Sequence, residues 1–157
     1  MNQSASVNPY SAPNDPFEEM QPSSSGLKAV IIAAAVGNGI LYFAASVLAW
    51  AYMWHLSAQG ATGMDLYLPL YQSTGYLLVA HVIGVFAMLT GGYWCARLSN
   101  DRRLFRAAMA GLIIVVQVIL HLTSPHGQPY PFWTCVASLV MPIPVYVAGA
   151  MLWRRPA

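Results

Sequence analysis

Apolar positions in this chain do not alternate with polar ones; they run together. Four uncharged, largely apolar stretches stand out: Ala29 to Trp54, Gly75 to Ala96, Ala107 to Leu122 and Phe132 to Trp153. A helix that crosses a bilayer needs about 20 such residues. The first, second and fourth runs reach that length. The third is at the short edge, but Arg106 can extend its aliphatic stem and keep its guanidinium at the headgroups. In hydrocarbon each backbone amide must bond within its own segment, so runs of this length become helices rather than open strands. No alternating pattern of the kind a barrel needs competes with this reading. The pattern predicts an all-α integral membrane protein, a four-helix bundle with spans at about 29–54, 75–96, 104–122 and 132–153.

Amphipathic aromatics fall where the two interfaces should lie. Trp50, Tyr52 and Trp54 close the first run, Tyr71 and Tyr76 open the second, and Tyr93 and Trp94 close it. Tyr130 and Trp133 open the fourth and Trp153 ends it. Such belts mark membrane boundaries and corroborate the spans.

Composition explains why the solvent must be lipid. Of 157 residues, 57% are hydrophobic and only 8% charged, against about 25% charged in a soluble domain. The 7 cations, Lys28, Arg97, Arg102, Arg103, Arg106, Arg154 and Arg155, all fall on one side of a four-span model. Positive residues near spans stay cytoplasmic. The tail, the loop 97–106 and the C-terminus are therefore expected inside, and the loops 55–74 and 123–131 outside, in the inner (plasma) membrane of a bacterium. A net charge of +2, spread singly or in one short cluster, is no nucleic-acid footprint. Cys95 and Cys135 sit near opposite ends of their helices, beyond the reach of a disulfide.

Residues 1–27 read as a disordered polar cytoplasmic tail, with 28–153 as the membrane domain. The tail is rich in turn formers and poor in aliphatics, so it cannot bury enough to order itself. Its acidic start and the length of the first apolar run argue against a cleaved signal peptide, and its lack of Arg argues against a transit peptide. Its Asn8-Pro9-Tyr10 resembles the polar leaders that precede the first span of many small bacterial membrane proteins, a likeness of a few residues that identifies no family. The first outer loop is long enough to call for a role of its own. Its segment from Met64 to Tyr71 is apolar enough to rest in the interface.

Helical spacing sorts the small and polar residues into stripes. His81, Gly84, Met88, Gly91 and Cys95 share one face of the second span, and Ala107, Ala110, Ile114, Gln117 and His121 one face of the third. Cys135, Ser138, Pro142, Val145 and Gly149 do so on the fourth, and Asn38 joins Ala34, Ala45 and Ala49 on the first. Small residues let membrane helices approach, and polar ones bond across the gap. His81, Gln117 and Ser138 fall at similar depth, and with Asn38 they are the candidates for one polar layer. Packing through hydrogen bonds is the leading role for that layer, and a proton, ion or ligand site the alternative.

Pro142 and Pro144 lie at mid-span in the fourth run, where each removes a backbone hydrogen bond and bends the helix, making them a candidate hinge. His55, Asp65, His121 and His126 gather near the outer face and could ligate zinc or copper, but none has a metal-site spacing. Paired histidines for haem would need matched depth on facing helices, and His81 has no such partner. No metal or cofactor is expected. Enzyme templates fail for want of an intramembrane Asp or Glu, a Cys-x-x-Cys or a phosphate loop. A Ser138 and His81 dyad is conceivable but has no orienting acid.

The sequence thus points to a non-catalytic accessory, scaffold or protective subunit that acts through helix faces, with lipid around it and a membrane-protein partner or a second copy beside it. The alternative is a transporter or channel protomer with its path around His81. The orientation has a direct test. A cysteine at position 60 should react with a membrane-impermeant maleimide added outside intact cells; labelling only after the cytosol is opened to the reagent would reverse the topology.

Overall fold

A computed structural model describes residues 24–99, 102–124 and 130–153. They form six helices in the order α1 (Ser24–Ala58), α2 (Met64–Gln72), α3 (Thr74–Leu98), α4 (Arg103–Leu122), α5 (Phe132–Val140) and α6 (Pro142–Leu152), with no strand among the described residues. Three of these, α1, α3 and α4, are long and apolar enough to cross a membrane; the number rises to four if α5 and α6 count as one bent span. The polar tail 1–23, the residues 125–129 with His126, and Arg154 and Arg155 lie outside the described residues.

Each boundary has a local cause. α1 continues past its apolar run at both ends and stops short of Gly60 and Gly63, whose φ values of 91° and 59° suit a residue without a Cβ. The first outer loop contains a further helix, α2, which touches α1 and α3 and buries Leu70. Ser73 then starts α3, its Oγ accepting from the Tyr76 amide at 3.4 Å. The fourth expected span is broken at Met141 with a bend of 43°. Pro142 and Pro144 have no N–H, so the carbonyls of Ser138 and Val140 lose their donors four residues on. The chain is carried across the break by Met141 N donating to Ala137 O (3.0 Å) and Val145 N donating to Met141 O (3.1 Å).

The helix contacts close a cycle: α1 packs on α3 and α4, and α6 packs on α3 and α4 from the other side. Glycine makes the tightest of these contacts. A Cβ on Gly92 would run into the carbonyl of Tyr146, and one on Gly149 would run into the carbonyl of Leu89, so α3 and α6 meet backbone to backbone. Gly111 does the same for α4, where a Cβ would come 2.8 Å from Ile143 Cα beside the Pro142 bend. The core is made of small residues, among them Ala33, Cys95, Ala96, Ala107, Ala110 and Ala150, closed around the fully buried Tyr146.

Bulk lies on the other side of the helices. Phe43, Phe86, Leu120 and Val140 are each at least 65% exposed, an outward apolar surface that suits oil and not water. The helix ends that carry cations adjoin one another. The Arg106 guanidinium lies over Gly26, Arg97 stacks 4.9 Å from the Trp94 ring and 6.0 Å from that of Trp153, and Arg103 donates to the Trp153 carbonyl at 3.1 Å.

Because lipid offers helices little hydrophobic reason to associate, the glycine contacts should dominate stability. Gly92→Ala is expected to lose about 1 to 3 kcal/mol as an overpacking change. Gly75→Ala, whose Cβ would find only Ser73 Oγ at 4.0 Å, is expected to be neutral or to gain a few tenths of a kcal/mol from helix propensity. Reversible unfolding in mixed micelles measures both, and equal losses at the two sites would remove the backbone contact as the organising feature.

Candidate functional site

The polar residues singled out by the sequence come together in two separate pairs rather than one layer. In the first, His81 on α3 meets Ser138 on α5, with Nε2 and Oγ 3.4 Å apart. His81 Nδ1 is 2.8 Å from the carbonyl oxygen of Leu77, one turn earlier. A carbonyl can only accept, so Nδ1 carries a proton, and in that neutral tautomer Nε2 accepts from the Ser138 hydroxyl. The indole of Trp133 closes over the imidazole at 5.3 Å.

The second pair joins α1 to α4. Asn38 Nδ2 donates to Gln117 Oε1 at 3.1 Å, and Gln117 Nε2 donates to the Tyr42 hydroxyl oxygen at 2.8 Å. Among the described residues no hydrogen bond links this chain of three to His81 or Ser138. Leu41, packed against Gly84, occupies the contact between α1 and α3 at this level. The two groups also differ in setting. His81 and Ser138 are half-buried, whereas Tyr42 is 59% exposed on the outward side of α1.

The proline break and the first pair share a residue. Ser138 is the position whose carbonyl Pro142 deprives of a donor, while its hydroxyl serves His81. The bend is thus tied to α3 at the turn before it. As chemistry the pair is incomplete. Its orienting acceptor is a neutral carbonyl, not a carboxylate, and Ser138 lies inside α5, where amides bond within the helix and present no paired N–H groups to an oxyanion.

The outer residues do not converge. His55 is hydrogen-bonded at 3.1 Å to Gln59, one turn on, and His121 lies beside the Tyr130 ring at 6.2 Å. Asp65 sits in the first turn of α2 and is exposed. Among the described residues no three His, Cys, Asp or Glu side chains come together as a metal would require. Aromatic pairs fill this end instead: Tyr52 with Tyr76 at 5.3 Å and Tyr71 with Tyr130 at 5.5 Å. Burial first, and then the neighbouring Tyr71, pushes the Tyr130 phenol above its ordinary value.

No protein-family model, curated protein or solved structure matches the chain. Its site must be read from its own residues. Two participants were not among those the sequence singled out: the Leu77 carbonyl, which a residue pattern cannot show, and Tyr42. Tyr42 did carry a signal, being a phenol one helical turn from Asn38 and remote from both interfacial belts.

The value of the first pair can be measured. A double-mutant cycle with His81→Ala and Ser138→Ala should give a coupling near the average of about 0.6 kcal/mol, and below about 1.7 kcal/mol, for hydrogen bonds between membrane helices. A coupling of zero by unfolding in micelles would mean that the two side chains do not bond.

Proposed function

We propose that this chain is a small multi-pass protein of the bacterial inner membrane, a four-helix bundle with both termini in the cytoplasm, and that it works as a non-catalytic accessory or scaffold subunit through contacts between helices. The bundle reading takes α5 and α6 as one bent span. The orientation rests on the cations, which cluster where the start of α1, the end of α3, the start of α4 and the end of α6 adjoin.

The observation that carries the functional reading is the polar chain that runs from half-buried Asn38 and Gln117 out to the exposed hydroxyl-bearing Tyr42. At about 1.5 Å per residue, Tyr42 lies roughly 21 Å along α1 from Lys28 and roughly 18 Å from Trp54, well inside a hydrocarbon core about 30 Å thick. Polar groups facing lipid at that depth are expensive unless something covers them. A partner helix is the natural cover, since polar side chains that bond across helix interfaces act as glue in membranes. A transport path has less support, because its candidate residues form two unconnected pairs.

A photo-activatable residue in place of Phe43, next to Tyr42 and 73% exposed, should form one recurrent protein adduct in native membranes. The same probe at Val82, 55% exposed on α3, should yield lipid adducts alone. Lipid adducts from both positions would count decisively against an accessory role for this face.

A further inference from the structure

We infer that the covering partner is a second copy of this chain, docked through the same outward flank of α1 by a two-fold axis along the membrane normal. The inference deepens the accessory reading above and rests on it. Its basis is the hydrogen-bonding capacity that the polar chain leaves over. The Tyr42 oxygen accepts from Gln117, yet the Tyr42 proton has no acceptor among the described residues. Asn38 gives one N–H to Gln117, yet its Oδ1 receives no donor among them. Within one turn of α1, near the middle of the bilayer, the chain therefore keeps the Tyr42 O–H and the second amide N–H groups of Asn38 and Gln117 as spare donors, and Asn38 Oδ1 as a spare acceptor.

That combination complements itself. Long side chains on a helix lean toward its N-terminus, which carries the Tyr42 oxygen down toward the depth of Asn38. A two-fold axis along the normal sets equal depths opposite one another, so the Tyr42 hydroxyl of each copy donates to the Asn38 Oδ1 of the other. Both bonds form together, which is the mark of an isologous interface. A foreign helix would meet the same requirement only with its own acceptor and donor at the same depth and spacing.

The shape of the flank admits the approach. A Cβ added at Gly39, between the two polar residues, would meet nothing within 4 Å, so the α1 backbone is bare on this side. Ser46 and Ala35 are exposed on the same face, and Ile31, Phe43 and Trp50 project from it at 54%, 73% and 63% exposure. Small residues between large ones let two helices interlock, and a closer approach brings the polar groups within bonding range. Lys28 lies at the end of this flank, where water and salt screen the repulsion between copies.

The test uses the full chain in native membrane vesicles. Gly39→Cys, oxidised with copper phenanthroline, should give a band at twice the 17.0 kDa monomer, as should Ser46→Cys, which guards against a local defect at 39. Val82→Cys and the native chain with Cys95 and Cys135 should remain monomeric. Adding Tyr42→Phe removes both symmetric bonds and should lower the dimer affinity about tenfold in a lipid-dilution energy-transfer assay. A dimer indifferent to Tyr42→Phe would overturn the proposed closure. Monomers from both cysteine variants, together with a foreign adduct from the probe at 43, would overturn the second copy and leave the accessory reading standing. Monomers with lipid adducts alone would sink both.

Discussion

Lipid tails are as apolar as leucine, so the force that collapses a soluble core hardly acts between helices that lie in a membrane. What remains is contact at short range, and contact at short range requires backbones that can approach. The crossing of α3 and α6 supplies it: Gly92 lies under the Tyr146 carbonyl and Gly149 under that of Leu89. The reciprocity fixes both the separation and the register of the two helices. Once they are set, the Tyr146 ring falls against Gly91 and its oxygen against Gly37, which brings in α1. Gly111 receives the bent start of α6 and brings in α4. A side chain at 92 or 149 would separate the pair on which the other contacts are built.

Polar groups obey a second form of the same rule. With no water in reach, each takes the nearest partner, and nearness depends on direction around the helix as much as on depth. His81 points toward α5 and finds Ser138; Asn38 points toward α4 and finds Gln117. The proline break helps to decide the first of these, because Ser138 is on the short segment α5, whose axis is turned 43° from that of α6. The result is one pair that ties the bend to α3 and another that reaches the outer surface through Tyr42.

How much of this the sequence could show follows from the dimension of each property. Hydropathy is a property along the chain, and the runs did predict α1, α3 and α4. Helix ends were less legible, since a helix needs internal hydrogen bonds and not apolar residues; α1 therefore extends beyond its apolar run. The stripes on α3 and α4 found Gly84, Gly91, Cys95, Ala107, Ala110 and Ile114, all buried. They passed over Gly92 and Gly111 because a close crossing widens the contact face beyond one row. On the fourth run the prolines marked a bend, and the chain breaks there at Met141 by 43°. Tyr146, the largest fully buried side chain among the described residues, was missed because its hydroxyl suggests an interface. The four polar candidates bond in two groups rather than one, a division the sequence could not show because depth can be counted from residue numbers, whereas facing direction across four helices cannot.

The two tyrosines that the sequence did not single out lie at opposite extremes of burial. Tyr146 is fully buried and its hydroxyl has no hydrogen-bond partner among the described residues, an arrangement that ordinarily costs about 1 to 3 kcal/mol. Its oxygen occupies the place a Cβ on Gly37 would take. Tyrosine facing glycine thus fills the volume that phenylalanine facing alanine would fill, and the oxygen acts as a packing atom. Tyr42 has the opposite character: it is 59% exposed, and its oxygen accepts a hydrogen bond from Gln117. Removing the first phenol would alter how well the core is filled, whereas removing the second would alter what the surface can hold. In the proposed association the partner is met on the flank of α1, and the glycine-lined interior keeps that flank in place.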